Sequence, residues 1–400
     1  MYADRVLSGM RPTGALHLGH YHGVLKNWVR LQNEFPCLFF VADWHALTTH
    51  YDDIAVIGAN THEMVIDWLA SGIDPSQATL FVQSRVPQHA ELHLLLSMMA
   101  PLSWLERVPT YKDQQEKLSE KDLTTYGFLG YPLLQAADIL IYRAIHVPVG
   151  EDQVPHIEFS REVARRFNHL YGKEPGYELK AEESVKKLGS KRAKMYRDLR
   201  SKYQETGDDG ALEAGRALLA EAQNLSMGDR ERLFGYLEGG GKIILVEPDA
   251  LLTRASRMPG LDGQKMSKSY NNTIALREDA KSVEKKIRTM PTDPARVRRN
   301  DPGDPEKCPV WQLHLVYSDD KTREWASAGC KSAGIGCIEC KQPVIAGVLA
   351  EQTPMHERAQ KYLDDPTLVK NILEDGCDKA RKLAEETMRD VRIAMGLGNE

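Results

Sequence analysis

Along the first 150 residues the hydrophobic positions switch between short continuous runs and helical spacing. Val6 to Gly9 is a short apolar run, cut off by Arg11-Pro12-Thr13-Gly14. Gly19 to Glu34 places Val24, Leu25, Trp28 and Leu31 on one stripe and predicts a helix. Cys37 to Ala42 and Thr79 to Gln83 read as buried strands, with a helix from Ile54 to Ala70 between them. Strands alternating with helices predict a parallel α/β sheet. Ligands of such sheets bind at the carboxyl ends of the strands, so the polar residues after each run are the first candidates for chemistry.

The pattern changes at Tyr171. From there to Gly241 the chain is rich in Lys, Arg and Glu and ends in Gly239-Gly240-Gly241, which predicts a helical insertion with a flexible exit. Ile243 to Val246 predicts a return to strand. After Met290 the spacing is mostly helical, and Thr367 to Met395 carries Leu368, Ile372, Leu373, Ala380, Leu383, Ala384 and Met388 at helix-like intervals. The expected organisation is a catalytic region over 1–170 and 242–290, an insertion over 171–241 and a helical domain over 291–400.

Composition narrows the function classes. Four hundred residues, 42% hydrophobic and 27% charged, exceed one ordinary core. No apolar run reaches the roughly 18 residues of a membrane span. The first residues lack the apolar centre of a signal peptide, so a cytoplasmic protein is expected. In that reducing compartment, clustered cysteines point to metal or redox chemistry and not to disulfides. A net charge of −5 means that any nucleic-acid contact must come from local basic patches.

Two distant loops suit phosphate chemistry. Pro12-Thr13-Gly14-Ala15-Leu16-His17-Leu18-Gly19-His20 follows a strand and opens a helix, where free N–H groups face anions. Gly19 would let a flat ring approach the backbone. Gly263-Gln264-Lys265-Met266-Ser267-Lys268-Ser269 offers two lysines beside glycine in a mobile loop. Alone, the first reads equally as a helix cap with surface histidines and the second as a solvated loop.

Together, H-x-G-H and K-M-S-K-S resemble the signatures of class I aminoacyl-tRNA synthetases. The resemblance implies a Rossmann-like fold that binds ATP with Mg²⁺ and joins an amino acid to the 3′ end of a tRNA. The residue types fit. The amino-acid carboxylate is already ionised, so catalysis reduces to positioning and charge stabilisation. His17, His20, Lys265 and Lys268 are expected to supply donors and positive charge, with Lys112 as a further candidate.

Three stretches extend the resemblance to the tryptophanyl-tRNA synthetases: VADWHALT from Val41, GYPLLQAADIL from Gly130 and VPVGEDQ from Val147. The family pattern implies that Asp138 meets the indole N–H and that Tyr131 and Gln153 meet the ammonium. His45 is a further candidate for a tryptophan contact and reads equally as a satisfied core histidine. Arg11, Pro12, Thr13, Gly19, His20, Gly150, Glu151, Asp152, Arg257, Met258 and Lys265 to Ser269 (through Met266, Ser267 and Lys268) are implied ATP contacts. A buried carboxylate facing an indole donor rejects analogues that lack it. Read by itself, Asp138 fits equally a helix-face carboxylate paired with Arg143. The resemblance also implies a homodimer that binds tRNA(Trp). A tyrosyl-type synthetase, a small-molecule adenylyltransferase and a non-catalytic tryptophan-binding protein are the alternatives.

The remaining pattern is C-x21-C-x6-C-x2-C through Cys308, Cys330, Cys337 and Cys340. Four thiolates hold either Zn²⁺ or an iron–sulfur cluster. Similarity to a subset of the family implies a [4Fe–4S] cluster, with Zn²⁺ as the alternative. Nearby Lys285, Lys286, Arg288, Arg296, Arg298, Arg299, Lys331 and Lys341 are candidates for RNA phosphate contacts. Cys37 and Cys377 read as core residues.

Overall fold

The computed structural model describes residues 4–51, 54–108, 125–173, 176–252 and 258–398. Lys112 and Arg257 lie outside the described residues, and Ser269 is described only in its backbone. Five strands form a parallel sheet in the order β3-β2-β1-β4-β5. They are β1 (Val6–Met10), β2 (Cys37–Val41), β3 (Ala78–Val82), β4 (His146–Val149) and β5 (Asp249–Leu252). All five residues of β2 are buried, as a strand covered on both faces must be. The order reverses at β1, whose neighbours β2 and β4 follow it on opposite sides. The crevice at that reversal is where such sheets bind ligands.

The first crossover is a helix in three pieces. α1 (Leu18–His20) continues through a π-helical segment (Tyr21–Leu25) into α2 (Lys26–Leu31). Its predicted stripe is inward: Leu25, Trp28 and Leu31 are buried, and Trp28 stacks on Phe39 of β2 with ring centroids 4.2 Å apart. Next come α3 (Asp43–His50), α4 (Ile54–Ser71), α5 (Gln88–Ser97), α6 (Leu102–Glu106), α7 (Tyr126–Leu140) and α8 (Val154–Tyr171).

The insertion forms α9 (Tyr177–Lys187), α10 (Ser190–Thr206), α11 (Asp209–Ala220) and α12 (Met227–Leu237), packed around a small core of its own. Its exit differs from expectation. A Cβ on Gly241 would stand 2.2 Å from the Gly172 backbone, and Lys242 N–H donates to the Gly172 carbonyl at 2.8 Å. The glycines there permit close backbone packing and do not serve as a hinge.

Ile243 to Val246 is not a strand. Ile244 and Leu245 N–H donate to Asn168 Oδ1, and the Leu245 carbonyl accepts from Asn168 Nδ2. Arg143 Nε takes the Ile244 carbonyl. Side chains thus satisfy the backbone groups that a sheet ladder would have used, and the chain joins the sheet later, at β5.

The C-terminal half is helical: α13 (Ala280–Thr289), α14 (Pro309–Tyr317), α15 (Asp320–Lys331), α16 (Cys337–Asp364) and α17 (Pro366–Ala394). Buried residues of α14, α16 and α17 belong to the same apolar core as the sheet. Gly376 of α17 lies against β3, and a Cβ there would stand 1.8 Å from the Leu80 carbonyl oxygen. Cys37 and Cys377 are buried in this core, as expected. Among the described residues no helix is long and apolar enough to cross a membrane.

Candidate active site

Every strand from β1 to β4 delivers polar residues at its carboxyl end: Arg11 to Gly14 after β1, Asp43 after β2, Gln83 after β3, and Gly150 to Gln153 after β4. The two phosphate-type loops, about 250 residues apart in sequence, meet beside β1. Leu18 N–H donates to the Ile274 carbonyl and Leu276 N–H to the Leu16 carbonyl, both at 3.0 Å, with His17 bridged antiparallel to Ala275. Asp67 of α4 clips this junction. Its Oδ2 accepts from Leu16 N–H at 3.3 Å and its Oδ1 from Arg277 Nε at 2.5 Å. Lys268 reaches over the first loop, so that a Cβ on Gly14 would lie 3.2 Å from Nζ.

His17 and His20 sit with ring centroids 3.8 Å apart. Burial, with Lys268 nearby, lowers His17 to about 4; burial, His17 and Lys268 lower His20 to about 3. Both rings are therefore neutral at pH 7. The expectation that they bring positive charge is corrected: they bring N–H donors, and the lysines bring the charge. The His17 backbone N–H donates to His20 Nδ1 at 3.2 Å, which leaves the His20 proton on Nε2. Gly19 is needed for a reason internal to the loop, because a Cβ would meet His17 Nδ1 at 2.8 Å and Met266 Cβ at 3.4 Å.

The lysine loop is held from below. Met266 and Met258 are buried, and Met266 N–H donates to the Met258 carbonyl. Asn272 accepts from Ser267 N–H and donates to Asp262 and to the Lys265 carbonyl. The side chain of Lys265 stays exposed. Arg11, on the turn completed by the Thr13 N–H bond to its carbonyl, lies close enough to Tyr131 for the two to interact electrostatically. Pro12 is buried beside it.

Asp138 is the centre of the second half of the site. Only 1% of it is exposed. Its Oδ1 accepts from Gln83 Nε2 at 2.7 Å and pairs with His89 Nδ1 at 2.6 Å; its Oδ2 pairs with His45 Nε2 at 2.7 Å. His89 Nε2 meets the Tyr142 hydroxyl at 2.7 Å, so the ring proton is on Nδ1, toward Asp138. Burial pushes this carboxyl up, but the bonds from His45 and His89 outweigh it and hold the group at about 2. Arg143, the alternative partner, instead binds Asp390 at 2.6 Å. An ionised carboxylate accepts about four hydrogen bonds. Oδ1 takes two of these bonds and Oδ2 one.

On the same helix as Asp138 stands Tyr131, whose ring lies 5.6 Å from that of His156, and the turn Glu151–Gln153 follows β4, where Gln153 Nε2 donates to Asp152 at 3.1 Å. Glu151 and Asp152 are exposed at the mouth, and Gly150 opens the turn. Sequence reading missed Gln83, His89, Tyr142, Asp67, Asn272 and Arg277. Gln83 carried a signal, as a polar residue closing a buried strand. Asn272 is placed by local contacts within the lysine-loop segment, and the others by contacts remote in sequence.

The four cysteines also converge. Cys308, Cys330, Cys337 and Cys340 line one cavity of about 20 Å³ with Thr292, Asp293, Arg296 and Val310. Burial, with the other three sulfurs, pushes Cys340 up to about 12. A cation among the sulfurs would reverse that shift. Among the described residues, no group of three or more His, Cys, Asp or Glu side chains is arranged to hold a metal ion. Of the basic residues nearby, Lys341 is buried and donates to the Arg288 and Met290 carbonyls, so it is not an RNA contact. Arg296 is buried as well, bonded to the Ile335 and Arg299 carbonyls. Lys285, Arg298, Arg299 and Lys331 are exposed.

A parallel sheet reversing at β1, with a histidine loop and a lysine loop zipped together at that point, defines a class I aminoacyl-tRNA synthetase. The family model described as tRNA synthetases class I (W and Y) matches residues 3–188 and 199–348. The tryptophan–tRNA ligase of Ralstonia nicotianae is 76% identical over 99% of both chains. That of Thermotoga maritima is 44% identical over 98% of this chain and 99% of its own. The tryptophanyl-tRNA synthetase of Campylobacter jejuni, solved with ADP and tryptophan, is 28% identical with a TM-score of 0.73, covering 98% of this chain and all of that one. The chain belongs to the tryptophan–tRNA ligases.

Proposed function

We propose that this chain activates tryptophan with ATP and passes it to tRNA(Trp), using the residues brought together beside β1. The observation that carries the reading is the junction of the two loops, with Lys268 over Gly14, in one chain with a buried carboxylate whose Oδ2 is bonded by His45. The indole N–H donates to Asp138 Oδ2. Tyr131 and Gln153 receive the ammonium, and His45 both holds Asp138 and borders the ring. The tryptophan carboxylate then attacks the α-phosphorus of ATP, and pyrophosphate leaves. Lys265 and Lys268 stabilise the charge moving onto pyrophosphate, while His17 and His20 donate N–H groups without adding charge. Arg11, Pro12, Thr13, Gly19, Met258, Met266, Ser267 and Ser269 line the nucleotide, and Gly150, Glu151 and Asp152 the ribose. Lys112 and Arg257 complete that set. Mg²⁺ arrives on the phosphates. In the second step a ribose hydroxyl of the tRNA 3′ end attacks the aminoacyl carbon and AMP leaves.

The test is amino-acid-dependent exchange of pyrophosphate into ATP. Exchange with tryptophan, and none with tyrosine, is expected. Exchange with tyrosine alone, or none at all, overturns the reading.

The four cysteines line one small cavity together with Thr292, Asp293, Arg296 and Val310, which supports a thiolate donor set, although these side chains are not arranged around an ion. We read the group they hold as a [4Fe–4S] cluster that braces the helical region, with Zn²⁺ as the alternative. When bound it supplies structure, and the thiolates of Cys308, Cys330, Cys337 and Cys340 are its ligands. Absorbance near 400 nm with about four irons per chain supports the cluster; one zinc on a colourless chain rejects it. The helical region over 291–400 is proposed to read the anticodon, through Arg298, Arg299 and Lys331, with Lys285 of α13 beside it in sequence. A homodimer is proposed from the family resemblance, and the exposed apolar side chains of Leu94, Met98, Leu102 and Tyr126 in the catalytic region are consistent with it.

A further inference from the structure

Two adjacent residues of α16 touch the two signature segments separately. Glu351 Oε2 accepts from the Tyr317 hydroxyl at 2.8 Å and pairs with His22 Nε2 at 2.9 Å. His22 lies in the π-helical segment that directly follows His20. A π-helical turn is an energetically poor device, found mostly where function requires a side chain to be redirected, and here it aims His22 at α16. Gln352, with 1% exposure, donates from Nε2 to the carbonyls of Ala275 and Leu276, at 2.7 and 3.2 Å. Those are the residues that follow the lysine loop and pair with Leu16 and His17 on their other side. The Gln352 Oε1 atom is buried without a partner, a cost borne for the sake of the two bonds from Nε2.

We infer that Glu351 and Gln352 are positioning residues for the nucleotide chemistry: side by side on one helix, they set the distance between the histidine loop and the lysine loop. This rests on the ATP-binding reading of those loops. The same helix carries Cys337 and Cys340 in its first turn, about 21 and 17 Å from Glu351 at 1.5 Å per residue. It therefore ties the four-cysteine site mechanically to both halves of the nucleotide site. Neither residue bonds to Asp138 or to the side chains that hold it, so tryptophan recognition is expected to be independent of them.

The experiment is pyrophosphate exchange on the full chain for Gln352→Leu, which keeps the volume and removes the donor, and separately for Glu351→Gln. Each is expected to raise KM for ATP about tenfold, the loss of a hydrogen bond made to a reacting-site scaffold, with KM for tryptophan unchanged within about twofold. An unchanged KM for ATP in a folded variant overturns the inference. So does a parallel rise in both KM values with a lowered Tm, which marks a merely structural role. If Gln352→Leu does not fold, Glu351→Gln decides alone. A wild-type chain without tryptophan-dependent exchange overturns the functional reading itself, a result distinct from either variant outcome.

Discussion

Asp138 shows how much a single side chain depends on its surroundings. Its buried charge is tolerable because Gln83, His45 and His89 donate to it, and the Tyr142 hydroxyl fixes the tautomer of His89. Asp138→Asn keeps the shape but turns an NH₂ toward those donors and removes the acceptor for indole. Tryptophan-dependent exchange is expected to fall in kcat/KM by at least about 100-fold, as when a site loses a buried polar match. His17 gives a second prediction. Its pKa is lowered from 6.5 to about 4 by burial and by Lys268. A histidine held neutral in the folded state contributes stability above pH 6.5, and that contribution is lost as pH falls through 6.5 toward 4. The loss between pH 7.5 and 5 amounts to about 2 kcal/mol. Urea denaturation at the two pH values measures it. His20, lowered to about 3, loses stability in the same window, so His17→Gln should shrink the difference by His17's share and not abolish it. Equal acid sensitivity in both proteins would contradict the assignment. The identities of His17, His20 and Asp138 were legible in the sequence. Their protonation was not, because it is set by burial and by Lys268, His45 and His89, none of which is a near neighbour of the group it shifts except within the His17–His20 pair.

Elements were predicted well where their pattern was local. The stripe of Val24, Leu25, Trp28 and Leu31 gave the first helix, and the apolar run at Cys37 gave β2. Ile243 to Val246 had an equally good strand pattern and failed, because the Asn168 amide and the Arg143 guanidinium captured its backbone. Strand propensity reflects packing more than an intrinsic backbone preference. Gly376 makes the same point from a helix. Nothing in Glu374-Asp375-Gly376-Cys377 announces that α17 rests on β3 at that point. Gly376→Ala drives a methyl into the Leu80 carbonyl and is expected to cost about 3 kcal/mol in chemical denaturation. Gly58 of α4, where an added Cβ meets nothing within 4 Å, is the control: Gly58→Ala should stabilise by about 0.5–1 kcal/mol through helix propensity. Similar effects from the two substitutions would disprove the packing argument.

The whole molecule has one large core, shared by the sheet and the C-terminal helices, and a second small one inside the insertion. Because Lys242 N–H bonds the Gly172 carbonyl, the insertion leaves the catalytic region beside the point where it entered. Replacing residues 176–240 by a short Gly-Ser linker should therefore spare the large core and leave exchange kcat/KM within about threefold, since closing a short loop costs little. A collapse of exchange would show that α9 to α12 support the nucleotide site.

The sequence by itself determined the parallel α/β organisation, the helical insertion, the two phosphate-type loops and the cysteine spacing. These depend on the order of residue types within short windows, which periodicity and motif spacing expose. Only the tertiary structure decided that the loops zip together through residues 16–18 and 274–276, that Lys341 is buried, that the two histidines are neutral, and that α16 grips both loops at once. Those outcomes turn on which groups are brought within hydrogen-bonding distance and how much water is excluded around them. Both are set by chain segments hundreds of residues apart, whose proximity no local pattern records.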